Sequence, residues 1–476
     1  MRIPQTKPYL EEEEEEEETE EERGRKGKGK GRGGDVLTPV YSRLETNIPR
    51  DLMGFSDLAW KNDLQLFPKH EDVLQYLKEY AEDVLQIPGL VECGVKVVSV
   101  ELVPTEKENS RGKWEVTTTK SFQQDDQEGE EESKTEIFDA VICASGHYDV
   151  PYIPSVPGIE AWNAQYPNRI THSKFYRLPE NYTGKKVIVV GNSASGVDIG
   201  AQVAKCCKGR LIMSSRSESF LKVPDTAAAA KAKEEQRYIG KPEIVEYLLD
   251  DEEEKEEGKR SVKFSDGTIE SHIDAIIYCT GYFYSYPFLE KQKKKKNKTK
   301  TPPLHPPVTT TGERVENLFQ HIFYRPQPTL SFVGLNQKVI PFPMAQAQAA
   351  VIARVLSGRL ALPDESVMKE WEEETLQMNG SGRGFHVFAF PKDAEHLNFL
   401  HDWAMSAQQQ QQQRREVGKA PPVCGEKLYW IRERFPSIKK AFADCGEERH
   451  QVRSLEEIGY DFLKWKEEQK KGEHVL

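Results

Sequence analysis

Apolar positions along the chain fall into short unbroken runs punctuated by glycine, and the densest run is Val187-Ile188-Val189-Val190. Four branched apolar residues without polar alternation predict a strand buried on both faces, as in a parallel sheet. Gly191, Ser193, Ala194, Ser195 and Gly196 follow, after which Val197, Ile199, Val203 and Ala204 recur at helical spacing. A second apolar run, Leu211 to Met213, ends at Ser214, Ser215 and Arg216. The stretch Lys185–Arg216 therefore predicts strand, glycine turn, helix and strand, the opening of a dinucleotide-binding unit. Gly191 lets the chain turn sharply, Gly196 lets helix and strand approach, and the helix N-terminus suits a pyrophosphate. Ser193 stands where G-x-G-x-x-G has its middle glycine, which narrows the room for phosphates.

The same pattern analysis orders the rest of the chain. Val73, Leu74, Leu77, Tyr80, Ala81 and Val84 share one face of a helix predicted over Glu71–Val84. Strands are predicted at Val95–Val103, Lys113–Thr119, Thr135–Ala144 and Leu330–Leu335, and a helix at Pro343–Leu356 with Gly358 beyond its end. Ser366–Met378 and Ser454–Glu468 read as surface helices, the second opened by the capping-box pattern Ser454-Leu-Glu-Glu457. FDAVICASG, ending at Gly146, and IDAIIYCTG, ending at Gly281, are near-copies on either side of the glycine unit. They predict an α/β protein with two nested Rossmann-like domains, each closing on a strand whose terminal glycine admits a cofactor.

Composition adds limits. Eleven Glu fall between Glu11 and Glu22 and account for most of the net charge of −12. The remainder is nearly balanced, which argues against nucleic acid and acidic membranes as partners. Residues 1–34, a Glu run followed by RGRKGKGKGRGG, read as a disordered tail. The acidic Asp250–Lys259, the basic Lys291–Lys300 and the glutamines Gln408–Gln413 read as solvated loops. Seven cysteines form no CxxC pair or ladder, so free thiols, a reducing cytosol and no structural metal are expected. No apolar run approaches the roughly 18 residues of a membrane span, and the opening MRIPQTKPYL does not read as a signal peptide.

The end of the second strand bears on nucleotide choice. NAD enzymes commonly place an acid there for the ribose 2′-hydroxyl, whereas Ser214, Ser215 and Arg216 suit a 2′-phosphate. The residues alone favour NADP(H) over a plain strand–helix turn with a surface Arg.

In order along the chain stand SRLETNIPRDLMGFSDLAW, FPKHEDVLQYLKEYA, FDAVICASGHYDVPYIP, HSKFYR, VIVVGNSASGVDI, IDAIIYCTGYFYSYPFL and LSFVGLNQKVIPFPMAQAQAA. From Val36 to about Pro363 this series resembles the flavin-containing monooxygenases, most closely their fungal thiol- or amine-oxidising members. The family signature F-x-G-x-x-x-H-x-x-x-[YF] appears as Tyr166-Pro-Asn168 through His172 to Tyr176. Asn168 in place of Gly is tolerable, since Asn adopts positive φ more readily than other side chains.

The resemblance implies two cofactors. NADPH reduces FAD, the reduced flavin takes O₂ to a C4a-hydroperoxide, and a sulfur or amine nucleophile collects one oxygen. It implies that Asn47 of the TN-x-P-R motif, with Thr46 beside it, lies by the flavin and nicotinamide. Ser145 and Gly146 would pass close to FAD, and the helix from about Pro343 would face the flavin pyrimidine. The corresponding division is 1–34 tail, 35–180 first FAD part, 181–280 NADP(H) domain, 281–363 second FAD part and 364–476 C-terminal extension. Family members also open with their own G-x-G-x-x-G strand, whose place here is taken by the charged tail; the FAD domain is therefore expected to be incomplete and open-edged, with self-association a consequence. Three functions stay open: an NADPH- and FAD-dependent monooxygenase, an NADP(H)-binding remnant or truncated product, and a Baeyer–Villiger relative.

Overall fold

The computed structural model describes residues 37–103, 112–121, 131–217, 237–249, 258–290, 306–409 and 418–473. The tail 1–34, most of the acidic segment at 250, the basic run from Lys291 and Gln410–Gln413 lie outside these residues.

The chain forms two compact units. One comprises residues 37–44 with Tyr148–Tyr282; the other comprises Glu45–His147 with residues 283–473. One unit is thus inserted into a discontinuous other, the nested α/β arrangement that the paired glycine-ending strands predict. Residues 148–180 pack with the inserted unit, so its boundary precedes residue 181.

The inserted unit is built on a five-stranded parallel sheet ordered Ile170–His172, Ala275–Tyr278, Val187–Val190, Leu211–Ser214, Tyr238–Lys241. Val187–Val190 sits at the centre, paired on both sides, which is why it carries no polar residue. The helix Ala194–Val203 covers one face with Ile199 and Val203 fully buried. The opposite face packs Ile188, Ile212 and Ile276 against Trp162 and Tyr247. His172 and Tyr176 of the family signature are buried. His172 donates from Nε2 to Gly281 O at 3.0 Å and accepts at Nδ1 from Lys174 N; Tyr176 donates to Gln202. Asn168 has φ 63°, the left-handed conformation that its replacement of Gly requires.

The discontinuous unit holds an antiparallel meander, Val95–Val103, Lys113–Ser121 and Glu131–Phe138, and a second sheet ordered Leu318–Phe319, Phe323–Tyr324, Leu330–Phe332, Val141–Cys143. The single strand predicted at Thr135–Ala144 is therefore two strands in different sheets. The chain changes sheets at Asp139, whose carboxylate pairs with Lys113 at 2.9 Å. Val141–Cys143 runs parallel to Leu330–Phe332 and has no partner on its other edge among the described residues; Ile142 is 48% exposed. The helix His70–Leu85 forms as predicted but buries Tyr76 and leaves Leu74 and Val84 exposed. Tyr76 is drawn in by its hydroxyl, which donates to Leu58 O and accepts from Phe55 N, both at 2.8 Å.

The C-terminal segment departs most from expectation. Glu365–Asn379 matches the predicted helix, while Lys392–Gln409 and Glu426–Asp444 are additional long helices. They bury Leu397, Leu400, Ala404, Ile431 and Ile438 against the rest of their unit. The predicted helix Ser454–Glu468 is instead a short turn at Glu456–Ile458 and a helix Phe462–Glu473. Gly459, at φ 86°, breaks it after the Ser454–Glu457 cap has formed.

Candidate functional site

The glycine turn after Val190 has the geometry a nucleotide site requires. Gly191 has φ 107°, and a Cβ there would stand 2.5 Å from Cys279 O. A Cβ on Gly196 would stand 2.0 Å from Gly191 O, so any side chain would push helix and turn apart. Ser193 is exposed at the N-cap, its hydroxyl caps no backbone N–H, and Ala194 and Ser195 form the first turn. With no side-chain cap from Ser193, the first N–H donors of the helix suit an anion. Gly200, one turn beyond Gly196, completes the approach: a Cβ would meet Met213 Sδ at 2.9 Å. The G-x-x-x-G spacing in the helix was the available signal for it.

The end of the second strand is only partly as expected. Ser214 is buried and its hydroxyl donates to Pro242 O at 2.8 Å, so it is not free for a ribose phosphate. Ser215 binds Lys241 O through its backbone N–H, leaving its hydroxyl as the group on offer. Arg216 is 74% exposed and its Nε pairs with Glu243 at 2.7 Å. Glu243, outside the recognised pattern, is the acid that a 2′-phosphate would have to displace. An exposed pair of this kind contributes about 0–1 kcal/mol, so displacement costs little.

Thr46, Asn47, Ser145 and Gly146 all belong to the discontinuous unit. Thr46 is fixed through its N–H to Pro68 O at 3.0 Å and its hydroxyl to Ile48 O at 2.9 Å. Asn47 is half-buried, and no protein group among the described residues hydrogen-bonds its side-chain amide. Ser145 and Gly146 are exposed past Val141–Cys143; Gly146 has φ 71° with no atom within 4 Å of a Cβ position, so this backbone stands open. The helix Pro341–Leu356 begins with two prolines and no side-chain cap. An amide, an open glycine and a helix N-terminus are each of a kind that could donate to a flavin. Cys143 and Cys279 contribute no thiolate, since burial pushes both up to about 12.

A cavity of about 930 Å³ opens three residues past Asn47. Its walls include Phe55, Trp60, Ile340 and Pro343 together with Leu397 and His401 from the C-terminal helices. Trp60 stacks on Tyr76 with centroids 3.8 Å apart, and its Nε1–H is buried without an acceptor among the described residues. His401 Nδ1 donates to Pro421 O at 2.8 Å, which leaves Nε2 as an acceptor. The volume suits a small molecule, and the lining is apolar in larger part but also carries Arg50, Asp51, Asn62 and the ion-paired Asp57 and Lys419.

Comparison with known proteins supplies the family. The profile described as flavin-binding monooxygenase-like matches residues 15–225 and 251–386. This chain belongs to that family. The flavin-containing monooxygenase FMO GS-OX-like 2 of Arabidopsis thaliana is 34% identical over 380 residues, covering 77% of this chain and 72% of the relative. FMO GS-OX-like 9 of the same plant is 36% identical over 345 residues, covering 71% and 66%. Among solved structures, S-allyl-L-cysteine S-oxygenase from Allium sativum superposes with TM-score 0.64 at 27% identity, covering 88% of this chain and 82% of that one. Tmm from a Pelagibacter strain shares the fold, with TM-score 0.56 at 22% identity over 86% and 78%. The flavin-binding monooxygenases use FAD and NADPH, the pair expected from the motifs. No described helix is long and apolar enough to cross a membrane, and no described cluster of His, Cys, Asp or Glu could hold a metal.

Proposed function

We propose that this protein transfers one atom of O₂ to a soft nucleophile, a thioether ahead of an amine, at the expense of NADPH. The observation that carries the reading is the likeness to the Allium sativum enzyme, whose name makes a thioether its substrate. The balance is thioether, O₂, NADPH and a proton to sulfoxide, NADP⁺ and water. FAD, when bound, supplies the two-electron chemistry; the protein binds, orients and excludes water. In this reading Gly191, Ser193, Ala194, Ser195 and Gly196 receive the NADPH pyrophosphate, and Ser215 with Arg216 the 2′-phosphate. Thr46, Asn47, Ser145 and Gly146 receive FAD, and the Asn47 amide donates to and accepts from the cofactors. The largely apolar cavity beyond Asn47 admits the substrate. The seven free cysteines accord with a cytosolic site of action. Ile142, half-exposed on its one-sided strand, is where self-association would occur.

Asn47→Ala tests the central assignment. Sulfoxide formed per NADPH consumed is expected to fall at least tenfold while NADPH binding persists, a loss of about 1.4 kcal/mol or more in the oxygenation step. Unchanged coupling would remove Asn47 from the site. A second reading, an NADP(H)-binding protein without oxygenase activity, is favoured by the one-sided pairing of Val141–Cys143. A purified protein that binds NADPH and takes up no flavin would support it.

A further inference from the structure

The segment carrying Asn47 is held by the far end of the chain. Lys439, on the helix Glu426–Asp444, donates from Nζ to Thr46 O at 2.8 Å. That carbonyl belongs to the peptide bond linking Thr46 to Asn47, so the ammonium fixes the peptide plane from which Asn47 departs. The ammonium lies over Phe67, with Nζ 4.3 Å from the ring centroid, and Phe67 packs on Phe442. Phe67 is fully buried, so the ammonium rests on a fixed aromatic face.

Around this contact the C-terminal segment makes a set of polar ties to the same loop. Glu45 receives Arg449 at 3.6 Å, His450 at 3.7 Å and Lys439 at 3.9 Å. Arg50, three residues past Asn47, donates to Arg453 O at 2.9 Å, and Leu66 N donates to Val452 O at 2.9 Å. His450 Nδ1 meets Gln65 Oε1 at 2.9 Å. Residues 45, 46 and 50 are thus all tied to residues 439–453, while the Asn47 amide in their midst takes no partner among the described residues. A loop that only needed anchoring would spend its side-chain amide too. Here the backbone is clamped on both flanks and the amide is kept free.

We infer that Lys439 is a positioning residue for oxygenation, setting the Thr46–Asn47 peptide through its ammonium, with Glu45 as the carboxylate beside that ammonium. The inference rests on the assignment of Asn47 above. A charged donor on the carbonyl also polarises the shared peptide, making the Asn47 N–H a stronger donor.

The test uses the full chain. Lys439→Met keeps an unbranched side chain of similar reach and removes the ammonium; Lys439→Arg restores a cation. Hydrogen exchange of the Asn47–Asp51 amides, read without any cofactor, is expected to rise about tenfold in Lys439→Met, the loss of one charged hydrogen bond, and to return toward wild type in Lys439→Arg. With FAD and NADPH supplied, Lys439→Met is expected to oxidise NADPH at a near-normal rate while releasing hydrogen peroxide in place of sulfoxide. Unchanged exchange at Asn47–Asp51 overturns the clamp. Raised exchange with intact coupling overturns the positioning role, and if Asn47→Ala keeps its coupling as well, the Asn47 assignment is what has failed. Should Lys439→Met not fold, Glu45→Gln loosens the same ammonium without touching Phe67 or Phe442 and is read identically.

Discussion

Arg216 shows how far one residue's meaning depends on its neighbours. By sequence it is a free cation at the end of a strand; in the fold its Nε rests on Glu243. A 2′-phosphate offers more charge than a carboxylate and three strong acceptor oxygens, so it would take Arg216 from an exposed partner. Arg216→Ala is expected to weaken NADPH binding by about 1.5–3 kcal/mol and leave NADH nearly unchanged, measured by titration of each nucleotide. Glu243→Gln should shift NADPH the other way by a smaller amount. An equal loss for both nucleotides in Arg216→Ala would deny it the phosphate role. Ser214 teaches the complementary lesson: a serine next to an Arg looks available until Pro242 O is seen to hold it.

Among the elements, the strand Phe323–Tyr324, the loop around His386 and the helix Lys392–Gln409 enclose buried imidazoles. Val315 N–H donates to His386 Nε2, which leaves the His386 proton on Nδ1 to donate to His321 Nδ1 at 2.9 Å. Both rings are therefore neutral. Burial lowers His386 to about 3 and His396 to about 4, and holds His321 well below its ordinary value. His147, packed on Tyr284, is lowered to about 4 for the same reason. The neighbouring His147 and the Arg314 guanidinium further disfavour a proton on His386, and no carboxylate among its causes offsets them. The sign follows from the unfolded chain, where each His takes a proton below about pH 6.5 and the native state does not. Stability contributed by neutral burial is complete above 6.5 and is lost as pH falls from 6.5 toward 4, by up to about 1.4 kcal/mol per pH unit for each ring. Urea unfolding midpoints between pH 7 and pH 5 should drop steeply; His386→Asn should flatten the dependence, and a flat wild-type profile would contradict the neutral cluster.

For the whole molecule, legibility followed the range of the forces involved. Val187–Val190, Gly191 and Gly196 could be read because a buried parallel strand and a close helix packing leave marks within ten residues of sequence. Asn168 could be read for the same reason, since a left-handed turn restricts one residue. The split of Thr135–Ala144 could not, because the change of sheet at Asp139 depends on Leu330–Phe332, nearly two hundred residues later. Nor could the helices Lys392–Gln409 and Glu426–Asp444: their apolar faces are interrupted by Arg432 and Asp393, charges that pair with each other in the interior at 2.6 Å. Lys439 left no local mark at all, because its partner carbonyl at Thr46 lies across the length of the chain. The functional loop was recognisable from its own residues, and the segment that holds it was not.

The central claim is that this fold delivers one atom of molecular oxygen to a soft sulfur. Purified protein supplied with FAD, NADPH, methyl p-tolyl sulfide and ¹⁸O₂ should yield sulfoxide carrying one ¹⁸O, read by mass spectrometry, in near-stoichiometric ratio to NADPH consumed. Sulfoxide whose oxygen comes from water, or NADPH oxidation without any labelled sulfoxide, would contradict it.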